Sequence, residues 1–306
     1  MNIRQFLLLP KISIHNANAM SSPYTIGFPA MTAWLGAVHA LQRHLHQHGF
    51  PDVQLASVAV SCHQFDLQTY KGPNDFVQSI IGTANPLDKD GSRPAFIEEA
   101  RCHLQVSLLV EYFGVGSDDR ELLLETVNQQ VLRMKMAGGD VLSVKTIETL
   151  VVDEDKDNDL RKALRKLMLG YVLIERRDLM QQTMQEEGKD ALDALLDHLK
   201  LMHRAQQEEE GKVTWTSKRL TAGWLVPIAT GFQGISELGT AKHQRDPDTP
   251  HRFAESVVTL GEFVMPYRIN NLDDMLWQYH ADLEQNLYLC QTLSTTTCST
   301  TNIFGA

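Results

Sequence analysis

A period-two recurrence of leucine and valine within positions 102–110 is the feature that most limits the folds open to this chain. Leucine or valine occupies every second position from 104 to 110, alternating with His103, Gln105, Ser107 and Leu109. Successive side chains of a β-strand point to opposite faces, so this pattern predicts a strand with one buried face. The fold must therefore contain a sheet that is covered on at least one side.

The residues before this strand predict a strand, a loop, a helix and another strand. Residues 6–14 are apolar at first and then alternate, and Pro10 places this strand at a sheet edge or at a bulge. Residues 15–29 show no periodicity and are rich in Asn, Ser, Gly and Pro, which predicts a long loop. Apolar residues at helical spacing over 34–45 predict a helix, and residues 53–62 predict a strand.

The following segments complete a mixed fold. Gly-Pro, Asn-Pro and Asp-Gly pairs interrupt residues 64–100, which predicts an inserted hairpin arm. A helix over 119–136, ended by Gly138-Gly139, precedes a strand over 141–152. We therefore predict the α+β class: a ferredoxin-like or RNA-recognition-type antiparallel sheet with an inserted thumb hairpin and an added helical segment.

The same patterns divide the chain into four regions. Residues 1–152 would form a palm with the thumb inserted at about 64–100. Leucines at helical spacing predict a helical segment over 153–212, and residues 213–293 carry strands that return to the sheet. The Ser/Thr-rich residues 294–306 predict a mobile tail.

Composition excludes several classes of protein. With 306 residues and 43% hydrophobic content the chain can fill a core, and no apolar stretch approaches the roughly 20 residues that cross a bilayer. The apolar run 6–10 is too short for a signal peptide, so we expect a cytoplasmic protein without membrane contact. A net charge of −10 argues against general affinity for nucleic acid, because phosphate binding needs concentrated Lys and Arg. Any RNA contact must be local.

No motif predicts a metal site, a cofactor or a catalytic residue. Four aspartates at the odd positions 153 to 159 have the spacing of a calcium loop. Asn158, however, stands where that loop requires glycine, and Leu164 stands where it requires a bidentate glutamate. The four cysteines are widely separated and are predicted to be reduced thiols.

Histidines and a basic helix each allow two interpretations. RNA cleavage needs a general base, which His15, His39, His63 or His103 can supply, but no spacing links them, and structural hydrogen bonding is favoured. Four cations lie on one side of a short helix over 160–167. They predict either contact with phosphate or with a partner's carboxylates, or a solvated helix face.

Residues 7–19 read LLLPKISIHNANA, and Ser21-Ser22-Pro23 and Gly27-Phe28-Pro29 follow. This run closely resembles the opening of the second Csy subunit of type I-F CRISPR surveillance complexes. Segments similar to that family continue in order at Gly36, 39–43, 85–87, 90–92, Glu98-Glu99, 136–139, 224–228 and Leu276-Trp277. Nearly the whole chain is covered.

The resemblance implies a Cas-five-like RAMP protein with an RNA-recognition-type palm and a protruding thumb. Such a subunit caps the 5′ handle of the guide RNA, pairs with the large Csy subunit and contacts a neighbouring backbone Csy subunit. It meets target DNA through the assembled complex. The resemblance also implies no catalysis, because other components cut the precursor RNA and the target.

Candidate site residues follow from the motifs and from the resemblance. Residues 16–22 can offer amides, hydroxyls and main-chain donors to a single-stranded RNA end. Two cations near the thumb tip can hold phosphates, and Glu98-Glu99 would orient the basic groups at its root. The candidate RNA-binding residues are His15, Asn16, Asn18, Ser21, Ser22, Lys89, Arg93, Arg101, His103, Gly138 and Gly139. Candidates for contact with phosphate or a partner are Arg161, Lys162, Arg165, Lys166 and Trp224.

Two alternatives stay open. Some Cas-five-like relatives process repeat RNA as endonucleases, and cleavage that depends on His103 or His15 would indicate such an enzyme. The chain can also be a purely protein-binding structural subunit, in which case no RNA would crosslink to it.

Overall fold

The computed structural model describes residues 3–81, 87, 89–93, 99–207, 212–242, 244 and 246–294. Its helices are α1 (Met31–Gln47), α2 (Arg120–Val131), α3 (Asp157–Lys166), α4 (Arg177–Glu187) and α5 (Ala191–Leu199). The strands of its first half are β1 (Ile3–Asn18), β2 (Met20–Ser22), β3 (Thr25–Ile26), β4 (Gln54–Leu67), β5 (Thr69–Tyr70), β6 (Ser79–Ile80), β7 (Arg101–Phe113), β8 (Lys135–Met136), β9 (Gly139–Ser143) and β10 (Glu148–Asp153). Those of the second half are β11 (Tyr171–Glu175), β12 (Met202–Gln207), β13 (Val213–Lys218), β14 (Leu225–Gly234), β15 (Ala254–Val264), β16 (Trp277–Asp282) and β17 (Leu287–Thr292).

Eleven strands of the described chain form one large sheet, and the pairings in it are antiparallel. Its order is β11-β15-β14-β17-β16-β4-β7-β1-β9-β8, and β10 pairs with the first part of β1. Because β11 pairs with β4 as well as with β15, the strands from β11 to β4 in this order close into a ring. This large antiparallel sheet with five helices among the described residues confirms the predicted α+β class.

The alternating segment is the central strand β7, which lies between β4 and β1. Leu104 and Val106 are buried in a core shared with Trp34 of α1 and Val127 of α2. On the opposite face Leu109 belongs to a second core, into which α3 packs. The predicted buried face is confirmed. Near Leu109 the opposite face of the strand is covered as well.

Strand β1 is longer than predicted and carries two irregularities. It continues to Asn18, which pairs with Arg101 of β7, so the loop predicted over 15–29 is wrong at its start. Pro10 lies at a register shift, and therefore at a bulge, as one predicted alternative had it. A second shift surrounds Asn16, whose φ is 59°. These interruptions remove the alternation by which a strand is recognised.

The helix predicted over 119–136 is too long, because α2 ends at Val131. The following residues form the β8–β9 hairpin, whose turn residues Ala137 and Gly138 have φ values of 49° and 76°. Positive φ at both central positions is typical of a type I′ turn, whose twist matches that of paired strands. The Gly138-Gly139 pair therefore belongs to a hairpin and does not end a helix.

The second half mixes helices and strands. The region 153–212, predicted to be helical, contains α3, α4 and α5 but also β11 and β12. Strands β14 to β17 pair within the large sheet, whereas β13 pairs with β12 outside it. Of the predicted tail 294–306, residues from 295 onward lie outside the described residues.

Burial explains the state of the cysteines. Cys62, Cys102 and Cys290 are free and buried, and burial raises the pKa of each thiol to about 12. The prediction of reduced thiols is confirmed for these three, and Cys298 lies outside the described residues. No helix in the described part of the chain is long and apolar enough to span a membrane.

Candidate nucleic-acid interface

Three of the predicted RNA-binding residues meet in one concavity at the end of β1, which we call the β1–α1 pocket. Its lining includes the first turn of α1 and Asn18, Ser21, Gly36, Lys135 and Gly138. Its volume is about 450 Å³. The Asn18 N–H donates to the Ala137 carbonyl oxygen at 2.8 Å and so ties β1 to the turn of the β8–β9 hairpin. The fold thus joins segments that are far apart in sequence.

Gly139 allows the hairpin to approach β1 closely. A Cβ at this position would lie 2.7 Å from the His15 carbonyl oxygen and 2.8 Å from the Ala17 nitrogen. Both atoms belong to the main chain, so neither can move unless β1 itself shifts. Gly139 therefore shapes the pocket through packing, whereas Gly138 is exposed at the turn.

The first turn of α1 lines one side of the pocket. Ala30 stands at the N-cap position, and no described side chain caps the main-chain N–H groups of this turn. Uncapped N–H groups at a helix start act as roughly half a positive charge. Lys135 adds a cation whose ammonium pairs with Asp140 across the hairpin, both side chains being exposed. Such an arrangement suits an anion, for example a phosphate.

Polar side chains beside the pocket also hold the loop that follows β1. The Asn18 side chain accepts from the Met20 N–H and donates to the Met20 carbonyl oxygen, both at 3.1 Å. Ser21 and Ser22 each hydrogen-bond to the Thr25 hydroxyl at 2.8 Å. Ser22 is buried, so the structure places its hydroxyl in the loop's interior, whereas Ser21 lines the pocket.

A second polar cluster surrounds His103. Its ring stacks on His15 with centroids 4.4 Å apart, and its Nδ1 accepts from the Asn16 N–H at 3.2 Å. The Gln68 side-chain nitrogen lies 3.2 Å from both Asn16 Oδ1 and His103 Nε2. Both ring nitrogens of His103 therefore have a hydrogen-bonding neighbour. In this arrangement His103 has no lone pair available to take a proton from RNA.

The described part of the thumb arm is mostly exposed. At its root Arg101 forms an ion pair with Glu99, as the predicted orienting role requires, and Glu98 lies outside the described residues. Lys89 and Arg93 are exposed, and neither lines the β1–α1 pocket. The predicted residues therefore form one pocket and one neighbouring strand face, with the two thumb cations elsewhere.

Comparison with known proteins decides the family. A family model described as CRISPR-associated protein (Cas_Csy2) matches residues 7–290. The chain belongs to the Csy2 family. CRISPR-associated protein Csy2 of Pseudomonas aeruginosa (strain UCBPP-PA14) is 38% identical over 309 aligned positions, which cover 92% of this chain and 93% of that protein. The family resemblance inferred from the sequence motifs is confirmed.

In this Csy2 family member the basic helix α3 packs on the opposite face of the sheet from α1. Three of its four cations form ion pairs within the chain. The pairs are Arg161–Asp157, Lys162–Asp159 and Lys166–Glu148, at 3.2, 3.2 and 2.8 Å. Arg165 is exposed and has no ion pair among the described residues. These pairs favour a solvated helix face, one of the two interpretations that the sequence left open.

Sequence reasoning missed Lys135, Gly36 and the first turn of α1 as parts of the site. The pattern over 119–136 predicts Lys135 in a helix. A helix that starts at Ala30 without a capping side chain does not by itself indicate a binding site. Trp224 lies at neither the β1–α1 pocket nor α3, but contacts Tyr171 and Phe263. Among the described residues, no three His, Cys, Asp or Glu side chains are grouped so as to hold a metal ion.

Proposed function

We propose that this chain holds the 5′ handle of a guide RNA in the β1–α1 pocket, as a non-catalytic subunit of a cytoplasmic type I-F CRISPR Csy complex. Membership of the Csy2 family makes it a subunit of that complex. The observation that carries the RNA role is the convergence of Asn18, Ser21, Lys135 and an uncapped helix start on one concave site. That site gathers hydrogen-bond donors and a helix start on a chain whose net charge is −10.

The topology supports an RNA-recognition-type palm. The order β4-β7-β1-β9, with α1 and α2 in the core on one face, is that of a ferredoxin-like sheet. We assign the palm to residues 1–152, the thumb to about 64–100, a mixed segment to 153–212 and returning strands to 213–293. The partners that fit this assignment are the guide RNA, the large Csy subunit and a neighbouring backbone Csy subunit. Target DNA would be reached through the assembled complex.

The hydrogen bonds of His103 favour binding over cleavage. A repeat-RNA endonuclease would need an available general base, and the Asn16 N–H occupies the lone pair of His103 Nδ1. His63 also has both ring nitrogens engaged, with the Leu169 carbonyl oxygen and the Ser107 hydroxyl. Two of the four candidate histidines are thus engaged by the fold itself, which supports an RNA end that is held and not cut.

The double variant Asn16→Ala/Asn18→Ala is expected to weaken retention of the guide RNA by a few kcal/mol at most. It removes two side-chain amides at the end of β1, and each neutral hydrogen bond contributes about 1 kcal/mol. The measurement is the equilibrium affinity of the reconstituted complex for guide RNA. Asn286→Ala is the control, because Asn286, like Asn16, has a positive φ of 56° and does not line the pocket. Equal affinity of the double variant and the wild type would contradict the proposed role of this loop.

A further inference from the structure

A second concavity, which we call the aromatic pocket, lies where β3 and the residues after it meet strands β4, β11, β14 and β15. Its apolar lining includes Ile26, Phe28, Phe65, Tyr171, Trp224 and Phe263. Its volume is about 320 Å³, within the usual range for sites that bind small groups. It joins β4 of the palm to strands of the second half, because Tyr171 pairs with Cys62 across β11 and β4.

The rings of the aromatic pocket hold one another in place. Trp224 packs edge-on against Tyr171 with centroids 5.0 Å apart and tilts against Phe263 at 5.2 Å. Phe263 in turn meets Phe28 edge-on at 5.3 Å. Contacts of this kind fix ring positions, so the cavity is formed before any ligand arrives.

Its rim exposes an unusual amount of apolar surface. Trp224 is 53% exposed, and Ile26, Phe65 and Tyr171 are exposed beside it. Leu169, whose carbonyl oxygen bonds to the His63 ring, is 80% exposed. Contiguous exposed apolar side chains around a cavity mark an interaction site, and Trp, Tyr and Phe are enriched in the buried centres of protein interfaces.

Charge and hydrogen bonding decide which occupant fits. None of the described lining residues is Lys, Arg, Asp or Glu, so a phosphate that accompanied a nucleobase would find no counter-charge in the lining. Both ring nitrogens of His63 are engaged, and the Gly27 N–H donates to the Ala19 carbonyl oxygen. Apart from the Gln64 side chain, the lining offers a nucleobase few free polar groups, so most of its polar edge atoms would stay unsatisfied in an apolar site. An apolar side chain has no such atoms.

We propose that the aromatic pocket receives a bulky apolar side chain from a neighbouring protein subunit of the Csy complex. The inference rests on the chain's place in that complex and is separate from the RNA site, since the two pockets have no lining residue in common. The Gln64 side chain at the rim can bond to the main chain of the incoming segment. Because the lining comes from both halves of the chain, a side chain bound in this pocket would also stabilise the packing of β11 and β14 against the palm.

The test is assembly of the full complex with Trp224 variants. Trp224→Ala is expected to lower the affinity for the neighbouring subunit about tenfold or more, as truncation of a central aromatic residue does at interfaces. Trp224→Phe should keep most of this affinity. Trp215→Ala is the matched control, because Trp215 is 69% exposed on the β13 strand of the separate β12–β13 ladder. Equal affinities of Trp224→Ala and Trp215→Ala would overturn the proposal.

A photoreactive benzoylphenylalanine at position 224 identifies the occupant within the assembled complex. A crosslink to another subunit supports the proposal, and a crosslink to guide RNA, to a second copy of this chain, or to nothing overturns it. Thermal melting of each variant shows that the fold is intact. Guide-RNA affinity of the isolated Trp224→Ala chain is measured in parallel, so that failure of the RNA proposal and failure of this one give different results.

Discussion

The Arg4→Ala variant is expected to lose about 3–5 kcal/mol of its free energy of unfolding, because it strands a buried carboxylate. The Arg4 guanidinium bonds to both oxygens of Glu111, at 2.7 and 2.9 Å, and its third nitrogen bonds to Glu154 and Asp273. The side chains of Arg4 and Glu111 are only 11% and 8% exposed. Burial opposes the charge on Arg4, but the hydrogen bonds from these carboxylates outweigh it and raise the pKa of Arg4 above its ordinary value.

Urea denaturation followed by circular dichroism measures this loss. Lys162→Ala is the control, because the Lys162 side chain is 62% exposed in its pair with Asp159, and surface pairs contribute about 1 kcal/mol at most. If Arg4→Ala lowered the free energy of unfolding as little as the control does, the account would be contradicted. The buried ion pair would then not stabilise the packing of β1 against β7 and the turn at Leu272–Asp274.

The Gly36→Glu variant is expected to fold normally and to bind guide RNA at least about tenfold more weakly. Gly36 lines the β1–α1 pocket from within α1, and a Cβ there would have no atom within 4 Å. Glycine inside a helix is less stable than alanine by roughly 0.5–1 kcal/mol, so a side chain at this position should not destabilise the fold. A carboxylate in the pocket would oppose the RNA phosphates, and juxtaposed like charges cost several kcal/mol.

Two controls isolate the effect of charge in the pocket. Gly239→Glu changes the net charge equally at a position that also has open space but does not line the pocket, so its RNA affinity should match the wild type. Gly36→Gln adds similar volume without the charge and should bind more tightly than Gly36→Glu. Equal RNA affinities of Gly36→Glu and Gly239→Glu would exclude the pocket as the phosphate site.

Regular elements of the fold could be predicted where one periodicity runs without interruption. Strand β7 is predictable because leucine or valine recurs at every second position from 104 to 110. The end of β1 was missed because the bulge around Asn16 removes the alternation, although Asn18 still pairs with β7. The β8–β9 hairpin was missed because Met134 and Met136 continue the apolar spacing of α2 beyond its end at Val131.

The candidate site was predictable only in part, because tertiary packing assembles it. Asn18, Ser21 and Gly138 were chosen from the loop chemistry and from the family resemblance, and the fold places them together. Lys135 reaches the same pocket only through the hairpin that sequence reasoning missed. The basic residues of α3 have acidic residues close by in the sequence. The Arg161–Asp157 pair shows that such a basic run can form ion pairs within the chain.

Crosslinking in the assembled complex tests the central claim most directly. A guide RNA with a photoreactive nucleotide in its 5′ handle is bound, irradiated and digested, and the adducts are mapped by mass spectrometry. The account predicts adducts on this chain within residues 18–21 or 135–138, with the RNA recovered at full length. Adducts confined to α3 or absent from this chain, or an RNA cut by the wild type and left whole by His103→Ala, would contradict it.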